Sequence, residues 1–159
     1  MNRNSKYYQI VDHYPRLLYR EKYIGQRPVT LRSSWEISFV KNYLDINNNI
    51  IKWSSEIVIP YIYSLDGKRH RYFVDFWIKI KDKNDEIKEH LIEIKPFNQT
   101  QPPKTPKRKT SKFNDRVANY IKNQDKWKYA ESFCKRLREE KGRNIHFRIL
   151  TERDLNVRS

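Results

Sequence analysis

The sequence predicts an α/β fold, a mixed β-sheet flanked by helices with its elements in the order α, β, β, β, α, β. Three observations carry this reading: a long stretch that alternates between apolar and polar residues, two apolar stripes at helical spacing on either side of the extended segments, and a short apolar run near the C-terminus. The chain has 159 residues, the size of one ordinary domain, so one function is expected at one site. Charged residues make up 33% of it, yet 4 Trp, 11 Tyr and 7 Phe supply a modest core, and a folded domain with basic margins is expected.

Residues 1–31 mix Tyr, Arg and Lys without sustained periodicity and include Pro15 and Pro28, which predicts an irregular basic arm. Trp35, Phe39, Val40, Tyr43 and Leu44 then fall at helical spacing, giving an amphipathic helix over Ser33 to Asp45 with Ser33 or Ser34 as its N-cap. The Asn run at 47–49 ends it. IIKW and EIVIPYIY read as extended, with Pro60 marking a bend or an edge position. Asp66-Gly67 is a favoured hairpin pair.

The next stretch, HRYFVDFWIKIK, predicts a long strand with Tyr72, Val74, Phe76, Ile78 and Ile80 on one face and Arg71, Phe73, Asp75, Trp77 and Lys79 on the other. After the polar turn DKNDE, IKEHLIEIK is the returning strand, with Ile92 and Ile94 toward the core and Leu91, Glu93 and Lys95 opposite. Pro96, Pro102, Pro103 and Pro106 exclude a regular element from the Lys-rich segment 96–112, which is expected to be a flexible loop. A helical stripe runs from Phe113 through Trp127 and Cys134 to Lys141, with a break admitted near Asn123 and Gly142 as the C′ residue. NIHFRILTE is the last strand, reached by a βαβ crossover, and residues 156–159 are a basic tail.

Composition excludes several function classes. A net charge of +15 and a pI near 9.9 imply an anionic partner. The single Cys134 removes intrachain disulfides and cysteine-based zinc sites and fits a reducing compartment. No run approaches the roughly 18 apolar residues of a membrane helix, and the opening lacks the apolar core of a signal peptide, so a soluble, non-secreted protein is expected. Glycine occurs only at 25, 67 and 142, which leaves no material for a phosphate loop, a dinucleotide fingerprint or a hydrolase elbow.

The chemistry concentrates on the central hairpin. If its turn centres on Asn84, antiparallel pairing sets Asp75 opposite Glu93, with Cβ atoms about 4.5 to 5.5 Å apart. Like charges there repel, and the arrangement is best tolerated when a divalent cation bridges the oxygens, as Mg²⁺ does with one or two carboxylates, substrate phosphate and water. Lys95 projects to the same side, where an ammonium can orient water or stabilise charge on a phosphate. The competing reading is a solvated strand face with cross-strand ion pairs, and a register slip of one residue would separate the acids. Phe73, Trp77 and Leu91 on the same face cover it in part, which favours a site. His13, His70, His90 and His146 stand in no ligand spacing and read as surface or packing residues.

These residues carry a resemblance. A helix with an acid, VDF on one strand and IEIK on the next, then helix and strand, resembles the PD-(D/E)XK nuclease superfamily of restriction-endonuclease-like fold. KYIG, RSSWE, the DGKRHRYFVDF hairpin, LIEIKP and KWKYAESFC further resemble the head completion nucleases of T-even-type tailed bacteriophages over roughly residues 22–155, and more distantly the TnsA-type transposon endonucleases. The resemblance implies a nuclease domain over 32–155, with Glu36, Asp75 and Glu93 as metal-site acids, Lys95 as catalytic lysine, and Mg²⁺ as cofactor with Mn²⁺ able to substitute. Val74 stands where the superfamily motif has proline. Glu36 has a second reading, because Ser33-x-x-Glu36 is also a capping box.

Nucleases of this fold often present an extra polar residue from the long helix, which implies Lys126 as an accessory, with Asn123 and Trp127 in the same segment. The resemblance also implies action on a DNA end as a phage head is completed in the host cytoplasm, or in the virion, beside portal, neck or other head completion proteins. Lys104, Lys107, Arg108, Lys109 and Lys112 are candidate DNA contacts on a loop that leaves the mouth of the site, and the tyrosines of the arm are candidates to stack on unpaired bases. The alternatives are a non-catalytic DNA-binding head or neck protein and a TnsA-type transposon endonuclease.

Overall fold

A computed structural model of the chain describes residues 17–155 apart from 27 and 30. Four strands, β1 (Ile50–Tyr63), β2 (Lys68–Lys81), β3 (Ile87–Ile94) and β4 (Ile145–Leu150), form one sheet in the order β1-β2-β3-β4. The first two pairings are antiparallel and β3 pairs with β4 in parallel, so the sheet is mixed as expected. Gly67 at φ 67° turns the first hairpin. Asp82 organises the second, its Oδ1 accepting the Asn84 and Glu86 amides at 2.8 and 2.9 Å. From Phe76↔Ile92 to Lys81↔Ile87 the register is the one a turn centred on Asn84 produces.

Helix α1 (Ser34–Phe39) continues into a π turn over Val40–Leu44 rather than running as one regular helix to Asp45. Helix α2 spans Ser111–Lys141 without the break admitted near Asn123, capped by the Thr110 hydroxyl and ended by Gly142 in the left-handed region. It is the crossover that a parallel β3–β4 pair requires. A short helix α3 (Glu152–Leu155) occupies part of the segment read as strand and was not expected. The loop after β3 contains a 3-10 turn at Phe97–Thr100 despite its prolines, because Pro96 precedes the turn and Pro102 follows it.

The sheet separates two cores. Trp53, Phe76, Ile78 and Ile92 pack with Phe39, Val40 and Leu44 on the α1 side, and Ile59, Tyr72, Val74 and Leu91 pack with Trp127, Ala130 and Cys134 under α2. Burial of each large side chain contributes about 1.5–3 kcal/mol. This corrects the strict alternation expected of β2: Tyr72 and Val74 lie with α2, Phe76 and Ile78 with α1, so the even-numbered series changes sides at Asp75. In β1, Glu56 lies opposite that point, between the pairs Ser55↔Phe76 and Ile57↔Val74, at φ 56°. A non-glycine residue in this region costs on the order of 1–3 kcal/mol, and such strain concentrates at functional sites.

The described part of the N-terminal segment is irregular but does not stand off the domain as a flexible margin. Leu17, Tyr23, Val29 and Leu31 are buried in the α1-side core. The buried Asp45 carboxylate accepts the Leu18 and Tyr19 amides at 2.8 and 3.0 Å, and the Ile24 amide donates to the Trp53 carbonyl. The stacking residues proposed among positions 1–16, and His13, lie outside the described residues, as do 156–159.

Candidate active site

Asp75 sits where β2 changes sides, one step beyond the Phe76↔Ile92 pair and so toward Glu93. Its Oδ2 accepts the Ile94 amide at 2.7 Å, which ties the carboxylate of one strand to the backbone of the next. Glu93 is 6% exposed. The Tyr72 hydroxyl donates to its Oε2 at 2.7 Å, and the Lys95 ammonium stands 3.3 Å from its Oε1. Glu36, 7% exposed, comes from the first turn of α1, where Ser33 Oγ accepts its amide at 3.2 Å. One half of the capping box is therefore formed. The carboxylate itself is near enough to Glu93 and Asp75 to raise its own proton affinity and that of Asp75.

The electrostatics are those of an acid cluster short of cations. Burial pushes the Asp75 carboxyl well above the ordinary carboxylate range, Glu93 and Glu36 push it further, and the Ile94 amide and Lys95 only partly oppose them. Glu36 is raised as well, first by burial and then by Glu93, against hydrogen bonding from Ser33 and Arg32. Lys126 projects from α2 over the Tyr72 ring, its ammonium 5.5 Å from the centroid. Burial lowers its pKa, as do Lys95 and Lys122, while Glu93 and Asp75 pull the other way. The structure thus brings Lys126 to the cluster with Glu36, Asp75, Glu93 and Lys95.

Tyr72 is a member that sequence reasoning missed. Strict alternation set it on the face opposite Glu93, and only the change of sides at Asp75 brings its hydroxyl onto that carboxylate. The loop cations Lys104, Lys107, Arg108 and Lys109 are all exposed, as is Lys112, which lies in the first turn of α2 rather than on the loop, since the helix begins at Ser111. His70 pairs with Asp66 and His146 with Asn144, and burial pushes His90 down to about 4, all away from the acids.

Hard carboxylate oxygens suit Mg²⁺ or Mn²⁺ rather than a soft or imidazole-seeking metal. Among the described residues no three of His, Cys, Asp and Glu converge closely enough to enclose an ion by themselves. The donor set fits a cation that Mg²⁺ chemistry describes well, one held by two carboxylates and completed by phosphate oxygens and water.

Comparison with known proteins gives a consistent answer. The head completion nuclease of Enterobacteria phage T4 is 41% identical over 142 residues, covering 86% of this chain and 87% of that protein. No solved structure matches the chain. Residues 47–152, from just before β1 to the start of α3 and including Asp75, Glu93, Lys95 and Lys126, match the model of the TnsA-like endonuclease N-terminal domain, and the chain belongs to this family.

Proposed function

We propose that this protein is a metal-dependent deoxyribonuclease of the PD-(D/E)XK type, hydrolysing phosphodiester bonds and processing the DNA end as a phage head is completed after packaging. The observation that carries the reading is the Lys95 ammonium 3.3 Å from Glu93, beside the half-buried Asp75, in a chain so similar to a head completion nuclease. Asp75 and Glu93, with Glu36 adjoining, would hold Mg²⁺ or Mn²⁺. That ion supplies an activated water and neutralises charge on the phosphate. The ion pair with Lys95 and the hydrogen bond from Tyr72 fix the Glu93 carboxylate, and the Ile94 amide fixes Asp75, so both are preorganised. Lys95 orients the attacking water or stabilises the developing charge, and Lys126 adds a second cation on the α2 side. Assembly in the host cytoplasm, beside portal or neck proteins, belongs to the same reading.

The direct test is plasmid cleavage by the purified protein with Mg²⁺, with Mn²⁺ and with EDTA. Cleavage is expected with either ion and none with EDTA, and it should be lost in Asp75→Asn and Glu93→Gln. Cleavage unaffected by EDTA and by both substitutions would sink the proposal. Neutralising Lys104, Lys107, Arg108 and Lys109 together should weaken DNA binding whatever its sequence and lower the salt slope by up to about 0.9 for each phosphate no longer neutralised. An unchanged slope would reduce the loop to a connector.

A further inference from the structure

A cleft of about 620 Å³ lies between the loop after β3 and the N-terminal half of α2. Five carboxamides line it: Asn98 and Gln99 from the 3-10 turn, Gln101 just after it, and Asn119 and Asn123 from α2. Gln101 donates to the Thr100 hydroxyl at 3.1 Å, and the other four side chains have no hydrogen-bond partner among the described residues. Tyr120 adds a half-buried ring and Phe97 a second one, held by the Arg153 guanidinium at 3.5 Å and by its own amide on Glu152. Lys104 and Arg116 stand at the wall, and no acid does.

We infer that this cleft receives an unpaired nucleotide of the DNA strand next to the phosphate being cut, an inference that rests on the nuclease reading and adds to it a preference for DNA with an unpaired segment. Each part of the lining matches one part of such a ligand. A carboxamide carries a donor and an acceptor side by side, which is the pattern of a base edge no longer occupied by its complement. Tyr120 and Pro102 or Pro103 offer flat apolar surface for a base face, which is open only when the base is unstacked from its neighbours. Lys104 and Arg116 meet the phosphates, and the absence of acids keeps an anionic strand from being repelled. The volume is that of a site for a ligand of nucleotide size.

The cleft also lies close to the acids along the chain. Phe97 follows Lys95 by two residues, and Asn123 lies one helical turn before Lys126, whose ammonium senses both Glu93 and Asp75. Both walls of the cleft are therefore joined, by two or three residues of chain, to cations of the cluster. Paired bases turn their Watson–Crick edges to each other and their faces to the stack, so duplex DNA offers the cleft no base face to cover.

Fluorescence anisotropy of the full chain in EDTA tests this without chemistry. The probes are a duplex with a short unpaired extension, at the 5′ or the 3′ end, and the same duplex whose extension is abasic and so carries equal charge. Wild type should bind the extension with bases about tenfold more tightly, the scale of one stacked base. Tyr120→Ala should abolish that preference, and so should Asn119→Asp, an exposed change that leaves the helix intact and sets a negative charge in the cleft. Affinity for the abasic probe should be unchanged in Tyr120→Ala. Equal binding of both probes by wild type, or a preference kept by both variants, would overturn the inference. Plasmid cleavage by wild type with Mg²⁺ separates the two ideas: a wild type that cuts plasmid but binds both probes equally overturns the cleft alone, whereas a wild type that cuts nothing overturns the nuclease reading while the binding result still decides the cleft.

Discussion

Glu89 and Glu93 stand four residues apart on the same side of β3, and their neighbours differ in kind. Glu89 is enclosed by donors: Trp77 Nε1 donates to it at 2.8 Å and Arg143 grips both its oxygens. Burial works against its charge, but the hydrogen bonds from Arg143 and Trp77 outweigh it and hold the carboxyl below its ordinary value. Glu93 has one hydroxyl and one ammonium and faces Asp75 and Glu36, themselves held above theirs. Burial alone therefore does not mark a functional acid. The first site is satisfied and contributes stability; the second is left short of positive charge, which a cation and a phosphate can complete.

The largest effect that should separate them is on rate. Lys95→Ala is expected to slow cleavage by about 10² to 10³, the scale of losing a preorganised electrostatic donor, whereas Arg143→Ala should leave the rate per folded molecule unchanged. Comparable rates in the two variants would erase the distinction.

Stability should discriminate in the opposite sense. Glu89→Ala leaves the Trp77 and Arg143 donors without their acceptor and is expected to cost about 1–3 kcal/mol, or about 2–4 °C of Tm for each kcal/mol in a chain of this size. Glu93→Gln keeps shape and volume and relieves repulsion, so it should melt no lower than wild type in EDTA. Melting curves for the pair decide the matter.

The smallest effect is on pH dependence. Because folding raises the Asp75 pKa, its contribution to stability is present in acid and lost as pH rises through the folded value. Folding lowers that of Glu89, so its contribution is present above the ordinary carboxylate range and lost as pH falls through the depressed value. In EDTA, Asp75→Asn should raise Tm by a few degrees at neutral pH and flatten the decline from acid to neutral, while Glu89→Gln should flatten the loss on acidification. An Asp75→Asn protein that melts as wild type does at neutral pH would show that the acids do not repel one another.

The second site was largely legible in the sequence and the first was not. Asp75, Glu93 and Lys95 are local to one hairpin, and its polar turn set the register that placed them. Glu89 and Arg143 are separated by 54 positions and meet only through the parallel crossover, which no periodicity announces. Tyr72 was misplaced because alternation assumes a regular pleat, and nothing about Glu56 as a residue signals a left-handed backbone. The segment 17–31 lacked a pattern because single contacts hold it, through Asp45 and Trp53, rather than a repeating face.

Cys134, fully buried on the sheet-facing side of α2, gives the molecule a built-in reporter of its own opening. Burial pushes its thiol up to about 11, so an alkylating reagent meets neither an accessible sulfur nor a thiolate in the native state. Labelling must wait until α2 lifts from the sheet, and since this is the chain's single cysteine, mass spectrometry counts those events directly. Slower labelling when DNA is bound would then measure how far substrate closes the layer that carries Lys126.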